Sequence, residues 1–214
     1  MLRKGSLPAT LPADPMPLFA EWFAHARDQS GLRNPDSMVI ATSTPDGRPS
    51  ARVVLLKQLV AHPGYVVFYT NYESRKGREM AANPRVAAAI HWDAHGRQVR
   101  LEGRVVRSPD SESDDYFASR ALDSRIGAWA SLQSQPLESR AELLKRVAAQ
   151  AARFGTQVPR PPHWGGYRLW PEAVELWNEG AFRVHDRARW TRSLDAVGDT
   201  GFTAGPWAAT RLYP

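Results

Sequence analysis

The stretch that decides the fold is Arg52-Val-Val-Leu-Leu-Lys57, followed after a short link by Val66-Val-Phe-Tyr-Thr-Asn71 and then Tyr72-Glu-Ser-Arg-Lys76. Branched and aromatic residues favour β-strands, so the first two runs are predicted strands. Cationic residues bracket the first run and close the last segment. Cations at strand ends and at the start of a helix suit an anion such as phosphate. The segment therefore predicts a site for a phosphorylated ligand.

Composition limits the class of protein. The chain has 214 residues, enough for one sizeable core, and a formal net charge of +6. A basic balance indicates anionic partners, but charge alone does not choose between nucleic acid and a small phosphorylated ligand. The cations alternate with strand ends and helix starts and form no continuous run. We therefore expect a small phosphorylated ligand and no nucleic acid.

The chain contains no cysteine, which excludes disulfides, thiolate metal sites and a cysteine nucleophile. No apolar run approaches the roughly 20 residues that span a bilayer. The segment Met1–Pro8 has no apolar core of signal-peptide length. These features predict a cytoplasmic protein with no membrane partner.

The first half of the chain predicts a helix followed by a β meander. Residues 1–13 are rich in proline and small residues and predict a flexible tail with little to bury. A helix follows, which begins near Asp14, ends at Gly31 and carries an apolar stripe of Leu18, Phe19, Trp22, Phe23 and Ala26. Three short strands come next, at residues 37–43, 50–57 and 65–70, with a turn at Thr44-Pro-Asp-Gly47.

The second half returns to strands after a helical region. Ser74 is a predicted cap for a short helix that runs to Met80. The pattern then predicts a hairpin at 85–92 and 98–106, helices from Ser108 and over 137–154, strands at 166–169, 173–177, 182–190 and 207–212, and a flexible loop at 195–205. The whole is mainly β with flanking helices: a barrel-like core in a single domain over residues 14–214.

Common enzyme signatures are absent from the sequence. It has no Gly-x-Gly-x-x-Gly, no Walker loop and no Gly-x-Ser-x-Gly elbow. His91 and His95 have a His-x-x-x-His spacing, but they lie in a predicted hairpin instead of a helix. We therefore expect no metal site.

Two further stretches carry chemical interest. Gly127–Pro136 crowds small residues and amides around one tryptophan, which suits close approach of a ligand or partner, or a polar loop. In the predicted strand over residues 182–190, alternation places Arg183, His185 and Arg187 on one face. Three such groups on one face are expected to meet solvent or an anionic ligand.

Taken in order, these segments resemble the pyridoxine/pyridoxamine 5′-phosphate oxidase family, flavin enzymes of vitamin B6 metabolism. The likeness covers roughly residues 14–192 and the closing Arg211-Leu-x-Pro214. It rests on the ordered set Arg52–Lys57, Phe68–Asn71, Ser74–Lys76, Arg97–Val99, Tyr116-Phe117, Ser119-Arg120, Ile126–Ser131, Gln133-Ser134, Trp164–Gly166, Trp177 and Arg183-x-His-Asp-Arg187.

The resemblance implies an FMN-binding split β-barrel, a homodimer with FMN at the interface. Catalytic roles are implied for Arg183 and His185. Substrate contacts are implied for Lys57, Tyr116, Arg120, Ser124, Arg183 and His185. Contacts with FMN are implied for Arg52, Val53, Val54, Leu55, Leu56, Lys57, Tyr69, Thr70, Arg75, Lys76, Gln98, Gln133, Ser134, Trp177 and Arg187.

The implied reaction is oxidation of pyridoxamine or pyridoxine 5′-phosphate to pyridoxal 5′-phosphate, with O₂ as electron acceptor and hydrogen peroxide as second product. The sequence departs from the family pattern at Ala121, Leu122, Arg125, Leu176 and Val184, and its loop at 194–206 is longer than usual. Two alternatives remain open. One is a related flavin oxidase that acts on another substrate such as a phenazine precursor, and the other is a non-catalytic flavin-binding protein.

Overall fold

The computed structural model of the protein describes residues 6–28, 32–199 and 201–214. Within these ranges, helices flank a set of mostly antiparallel strands. The helices are α1 (Met16–Asp28), α2 (Arg75–Ala82), α3 (Asp110–Ala118), α4 (Leu122–Ala130) and α5 (Arg140–Phe154). The strands are β1 (Ser37–Ser43), β2 (Pro49–Leu55), β3 (Gln58–Val60), β4 (Tyr65–Asn71), β5 (Arg85–Trp92), β6 (Arg97–Arg107), β7 (Trp164–Asn178), β8 (Asp186–Thr191), β9 (Leu194–Val197), β10 (Gly201–Ala204) and β11 (Ala208–Leu212).

One large sheet organises the fold around β7. Its main order is β11-β8-β7-β6-β5-β1-β2, while β4 joins β7 and also pairs with β3. The first half of β7 pairs with β4 and the second half with β8, while β6 runs along nearly its whole length. The register of β6 shifts between Glu102 and Gly103, and a Cβ at Gly103 would meet the Trp170 carbonyl oxygen at 2.1 Å. This bulge lets the sheet curl, which produces the mainly β, half-barrel architecture that the sequence predicts.

The core lies between the curled sheet and α1. Phe19 and Phe23 of α1 pack against the buried Trp92 of β5, with ring centroids 6.5 and 6.3 Å apart. A second, smaller cluster joins α3 and α4 to the start of β7 through Phe117, Ile126 and Trp164. That cluster holds the helical region against the end of the sheet where β4 and β7 meet. None of the helices in the described residues is long and apolar enough to cross a membrane.

Several predictions of local structure are confirmed. The apolar stripe of α1 is buried at Phe19, Trp22, Phe23 and Ala26. The strands at residues 37–43 and 85–92 have the predicted bounds. Ser74 caps α2, since its side chain accepts a hydrogen bond from the backbone N–H of Gly77.

Other predictions of local structure are wrong. The segment 182–190 is not one strand, because residues 181–183 form a 3₁₀ turn and β8 begins only at Asp186. The predicted loop at 195–205 is the hairpin of β9 and β10. The two strands predicted at 166–169 and 173–177 are halves of β7, and residues 127–130 of the Gly127–Pro136 stretch belong to α4.

The predicted N-terminal tail is packed in its described part. Leu7 is buried, and its backbone N–H donates to the Asp186 carboxylate. The Trp190 indole donates to the Pro12 carbonyl oxygen. Residues 6–13 therefore lie against β8, in contrast to the prediction of a segment with little to bury. Residues 1–5 and the predicted helix end at Gly31 lie outside the described residues.

Candidate functional site

One cavity of about 280 Å³ is lined by residues of the segment 52–76 and by residues of later segments that contact it. It lies where β2 and β4 meet α2, α3 and the segment after α4. Its walls include ten of the predicted site residues: Val53, Val54, Leu55, Lys57, Tyr69, Thr70, Lys76, Tyr116, Arg120 and Gln133. Asn71 and Trp164 complete the lining.

Lys76 is a buried cation at one side of this cavity. Its Nζ donates to Thr70 Oγ1 at 2.9 Å, Ser74 Oγ at 3.2 Å and Gln133 Oε1 at 2.6 Å. All three acceptors are neutral, and no carboxylate of the described residues pairs with the ammonium. Burial, together with the nearby Arg52, lowers the pKa of Lys76 to about 8. A buried ammonium that has only neutral acceptors around it favours the binding of an anion.

Arg120 is a second cation of the cavity, held by aromatic rings. Its guanidinium lies 4.7 Å from the ring centroid of Trp164 and 5.6 Å from that of Phe117. Tyr116 stacks on Tyr69 beside it, with centroids 3.9 Å apart. The Nη1 atom of Arg120 is buried and has no hydrogen-bond partner in the described structure. Burial lowers the pKa of Arg120, which reflects the partial desolvation of its guanidinium among these rings.

A pair of glycines lets Tyr72 and Ser108 pack closely over the start of β7. A Cβ at Gly165 would meet the Tyr72 hydroxyl at 2.0 Å, and one at Gly166 would meet Ser108 Oγ at 2.5 Å. Any larger residue would therefore push β4 and α3 away from β7. The Trp164-Gly-Gly166 run of the sequence is explained by this close approach.

Arg52 and Arg75 do not line the cavity, but one carboxylate holds both of them beside residues that do. Glu79 accepts from Arg75 Nε at 2.8 Å, from Ser50 Oγ at 2.6 Å and from the Thr42 hydroxyl, and lies 3.5 Å from Arg52 Nη2. Burial opposes the charge of Glu79, but these hydrogen bonds outweigh it and lower its pKa to about 2. Arg52 also donates to Thr42 Oγ1 at 2.6 Å. Glu79 thus stays ionised and fixes the orientation of both arginines.

Three of the predicted residues lie outside the cavity lining, and a fourth lines the cavity but already has an ion-pair partner. Lys57 lines the cavity, but its ammonium already pairs with Asp36 at 2.7 Å. Leu56 is a core residue that is 1% exposed. Ser124 is exposed on α4, and Ser134 lines a neighbouring cavity of about 300 Å³ with Gln133. The structure therefore brings Lys57 to the cavity but leaves Leu56, Ser124 and Ser134 out of its lining.

The remaining predicted residues form a second group at the far end of the sheet. Gln98 of β6, Trp177 of β7 and Arg187 of β8 are direct neighbours across the three strands. The His185 ring packs on Trp177 with centroids 4.7 Å apart, and Arg187 pairs with Glu175 at 2.9 Å. We call the predicted residues Gln98, Trp177, Arg183, His185 and Arg187 the Trp177 group.

Arg183 and His185 lie in a turn before β8, so the prediction that strand alternation aligns them with Arg187 is wrong. Phe182 and Arg183 both have positive φ, +55° and +62°, which is uncommon for residues with side chains. The turn is tight: a Cβ on Gly180 would lie only 1.8 Å from the Val184 carbonyl oxygen. The Gly180 N–H contacts His185 Nδ1 at 3.2 Å. A strained backbone of this kind is common at functional sites.

The cavity and the Trp177 group are separated along β7. Trp164 lines the cavity and Trp177 is 13 positions later on the same strand, which corresponds to roughly 40 Å of strand at about 3.3 Å per residue. A small ligand cannot contact both groups of one chain at this separation. The predicted site residues are therefore divided between two ends of the protein.

Sequence reasoning missed several residues that build the cavity. Trp164 and Asn71 line it, Asp36 pairs with Lys57, and Glu79 holds the two arginines. Glu79 had a readable signal, because it stands four positions after Arg75 in a predicted helix, the spacing of an ion pair. Asp36 had none, since its partner is 21 positions away.

Comparison with solved structures defines the class of fold. The chain matches PhzG from Burkholderia lata 383, determined with tetrahydrophenazine-1-carboxylic acid, with a TM-score of 0.84 and 31% identity over 98% of this chain and 100% of that one. A pyridoxamine 5′-phosphate oxidase-related, FMN binding protein from Nostoc punctiforme matches with a TM-score of 0.70 and 15% identity, over 96% and 100%. The fold is that of the FMN-binding split barrels.

Comparison of sequences gives the family. Residues 25–154 match the model of the pyridoxamine 5′-phosphate oxidase family, and residues 164–214 match the pyridoxine 5′-phosphate oxidase C-terminal dimerisation region. A pyridoxine/pyridoxamine 5′-phosphate oxidase of Rhodospirillum rubrum is 50% identical over 94% of this chain and 96% of its own length. One from Paraburkholderia phytofirmans is 51% identical over 98% and 94%. The chain belongs to the pyridoxamine 5′-phosphate oxidase family.

Proposed function

We propose that the protein oxidises pyridoxamine 5′-phosphate or pyridoxine 5′-phosphate to pyridoxal 5′-phosphate, with O₂ as the electron acceptor and hydrogen peroxide as second product. One observation carries the proposal: a single cavity contains two cations, the buried Lys76 and the half-buried Arg120, that have no carboxylate partner among the described residues. A phosphorylated cofactor and a phosphorylated substrate together supply two anions. The sequence relatives at about 50% identity carry the name of this activity.

The residues around Lys76 fit the phosphate of FMN. Lys76 supplies a desolvated ammonium, Arg52 and Arg75 lie beside it on Glu79, and α2 begins here with the backbone N–H groups of its first turn. Bound here, FMN supplies the acceptor for the hydrogen that leaves C4′ of the substrate. The protein supplies binding, orientation and charge. Ser134, Tyr69, Thr70 and Gln133 belong to the same proposed contacts.

Arg120 and Tyr116 fit the phosphate of the substrate. The orphaned Nη1 of Arg120 points to a missing acceptor, and a phosphate oxygen satisfies it. Lys57 lies on the same cavity wall, and Asp36 fixes its ammonium. Ser124 lies on α4 outside the cavity lining, so its proposed contact with the substrate requires the substrate to extend beyond the cavity towards α4.

We propose that the site is completed by a second copy of the chain. The Trp177 group is too far along β7 to reach the cavity of its own chain, and the C-terminal region that contains it matches a dimerisation region. Phe182 is 99% exposed and Val184 is 71% exposed, while the cavity wall exposes Val53 and Leu55. Joining these surfaces in a homodimer buries apolar area and brings Arg183 and His185 over the cavity, with FMN at the interface.

In the assembled site Arg183 and His185 would contact the substrate. The Arg183 guanidinium holds a positive charge near the substrate ring, and His185, packed on Trp177, orients that ring and can hold a proton at its free nitrogen. Gln98, Trp177 and Arg187 form a flat polar and aromatic surface that suits the flavin.

A second candidate is an oxidase of the phenazine type, favoured by the 0.84 TM-score with PhzG. The tetrahydrophenazine-1-carboxylic acid in that complex also carries an anionic group, so Arg120 alone does not separate the two activities. The identity of 31% compared with about 50% for the pyridoxine/pyridoxamine 5′-phosphate oxidases supports the first proposal.

The test is turnover by purified, FMN-loaded protein. Pyridoxamine 5′-phosphate, pyridoxine 5′-phosphate and tetrahydrophenazine-1-carboxylic acid are supplied separately, and pyridoxal 5′-phosphate and hydrogen peroxide are measured. We expect both products from the phosphorylated substrates, in equal amounts. Product only from the phenazine would support the second candidate, and a protein that binds FMN without turnover would support a non-catalytic flavin protein.

A further inference from the structure

The turn that carries Arg183 and His185 has few contacts of its own. Val184 N–H donates to the Ala181 carbonyl oxygen at 3.0 Å, and the Gly180 N–H contacts His185 Nδ1. Phe182 and Val184 are exposed, and the backbone is in the positive-φ region at two consecutive residues. Such a turn needs an anchor, because strained backbone persists only where its surroundings fix it.

Asp186 lies directly after this turn and is bound at both carboxylate oxygens. Its Oδ2 accepts from the Leu7 backbone N–H at 2.8 Å, and its Oδ1 accepts from Arg211 Nη1 at 2.5 Å. Leu7 is 179 positions away in sequence. One side chain thus joins the N-terminal segment, β8 and the C-terminal strand β11.

Arg211 closes the arrangement from the other side. Its Nη2 donates to the Pro8 carbonyl oxygen at 2.6 Å, and β11 pairs with β8 so that Arg211 lies opposite Ala188. Leu7 is buried at 3% exposure, which fixes the segment that supplies the N–H. Asp186, Arg211 and residues 7–8 therefore form one closed set of contacts, which we call the Asp186 clasp.

The clasp acts behind the functional face. Successive residues of a strand point to opposite faces, so Asp186 points away from the face that carries Arg187 and Trp177. The Asp186 side chain therefore does not face the Trp177 group. Its effect on the reaction must pass through the backbone of residues 183–186.

We propose that Asp186 is a positioning residue, whose carboxylate fixes the turn of Arg183 and His185 by tying it to both ends of the chain. This inference rests on the proposed function, in which those two residues contact the substrate. Asp186→Asn is the sharpest variant, because an amide offers one acceptor oxygen where the carboxylate offers two. One end of the chain is then released, while side-chain volume is kept.

The experiment compares FMN-loaded wild type with Asp186→Asn and with a deletion of residues 1–8. We expect kcat to fall about tenfold in each, the scale of a small displacement of a positioned group, while KM and the FMN Kd stay within about twofold. Combining the two changes should give no larger loss than either alone, since both open the same clasp. Asp46→Asn, which removes an exposed pair with Arg48 at 3.0 Å in the β1–β2 turn, is the matched control with unchanged kcat.

A second readout does not depend on turnover. Amide hydrogen exchange of residues 180–185 should become about tenfold faster in Asp186→Asn, with β5 and β6 unchanged. If Asp186→Asn kept both the kcat and the amide exchange rates of the wild type, the positioning role of Asp186 would be wrong while the proposed function would stand. A wild-type enzyme that turns over neither phosphorylated substrate would overturn the proposed function and this inference with it.

Discussion

Lys76 donates a hydrogen bond of 2.6 Å from its Nζ to Oε1 of Gln133, and so joins α2 to the segment that follows α4. The two residues are 57 positions apart, and both line the same cavity. Since the other acceptors are the hydroxyls of Thr70 and Ser74, the ammonium is solvated by the protein but not neutralised. The charge that the site lacks is therefore the charge of its ligand.

Replacing this ammonium should weaken FMN selectively. Lys76→Met keeps the length of the side chain and removes the charge. We expect the Kd of FMN to rise by about 10- to 100-fold, the equivalent of about 1.5–3 kcal/mol for hydrogen bonds to a charged group. Riboflavin, which lacks the phosphate, should bind both proteins alike in a fluorescence titration. Lys145→Met on the exposed face of α5 is the control, and an equal loss for FMN and riboflavin would contradict the role.

The affinity for FMN should also depend on pH. The pKa of Lys76 is lowered to about 8 by burial, so the ammonium loses its proton as the pH rises through 8. Because the phosphate binds the charged form, affinity should fall above pH 8 by up to about tenfold per pH unit. It should also fall below about pH 6, where the phosphate takes up its second proton. Titrations from pH 5.5 to 9.5 check this, and the decline above pH 8 should be absent in Lys76→Met.

Part of the cavity could be predicted from the sequence because its residues are local. The lining residues Val53–Leu55, Lys57, Tyr69-Thr70 and Lys76 belong to consecutive elements, and the strand pattern with its helix cap predicts an anion site in this segment. Arg120 and Gln133 were assigned only through the family resemblance. Gln133 contacts Lys76, and Arg120 lies on Trp164, through long-range contacts that no short pattern contains.

The turn before β8 could not be predicted from alternation. Arg183-x-His-x-Arg187 has the period of a strand, but tight packing at Gly180 and positive φ at Phe182 and Arg183 divert the backbone. The hairpin of β9 and β10 was missed for a similar reason. Its stability comes from Phe202 against Trp170, with centroids 5.9 Å apart, and not from the small and polar residues of its own sequence.

Arg120 should govern the affinity for substrate and leave FMN alone. In Arg120→Gln the guanidinium that lies on Trp164 is lost while a polar side chain remains. We expect KM for pyridoxine 5′-phosphate to rise by about 10- to 100-fold, as for a charged hydrogen bond to phosphate, with the FMN Kd within about twofold. Steady-state kinetics with a parallel FMN titration measure both. Arg140→Gln, at the exposed start of α5, is a control for loss of charge, and a matching rise in its KM would argue against a specific role of Arg120.

The two residues of the turn should govern turnover. In Arg183→Ala and in His185→Ala we expect FMN to remain bound and kcat to fall by about 10²-fold or more, the scale typical of lost positioning or electrostatic groups. Single-turnover flavin reduction by substrate, followed by absorbance, separates this step from reoxidation. Val197→Ala, an exposed residue of β9, is the control. Wild-type turnover in both alanine variants would remove Arg183 and His185 from the proposed chemistry.

A mixed dimer tests whether each site is built from two chains. Lys76→Met damages the cavity and His185→Ala damages the turn, so each homodimer should have little activity at limiting FMN. In a mixed dimer one site combines both defects, and the other combines an intact cavity with an intact turn from the partner copy. Random assortment makes about half of the dimers mixed, so about one quarter of all sites should regain wild-type kcat. Mixing, unfolding and refolding the two variants together, with each variant refolded alone as the control, measures this. If each site were built within one chain, no combination of the two variants would contain an intact site, and activity would stay at the level of the separate variants.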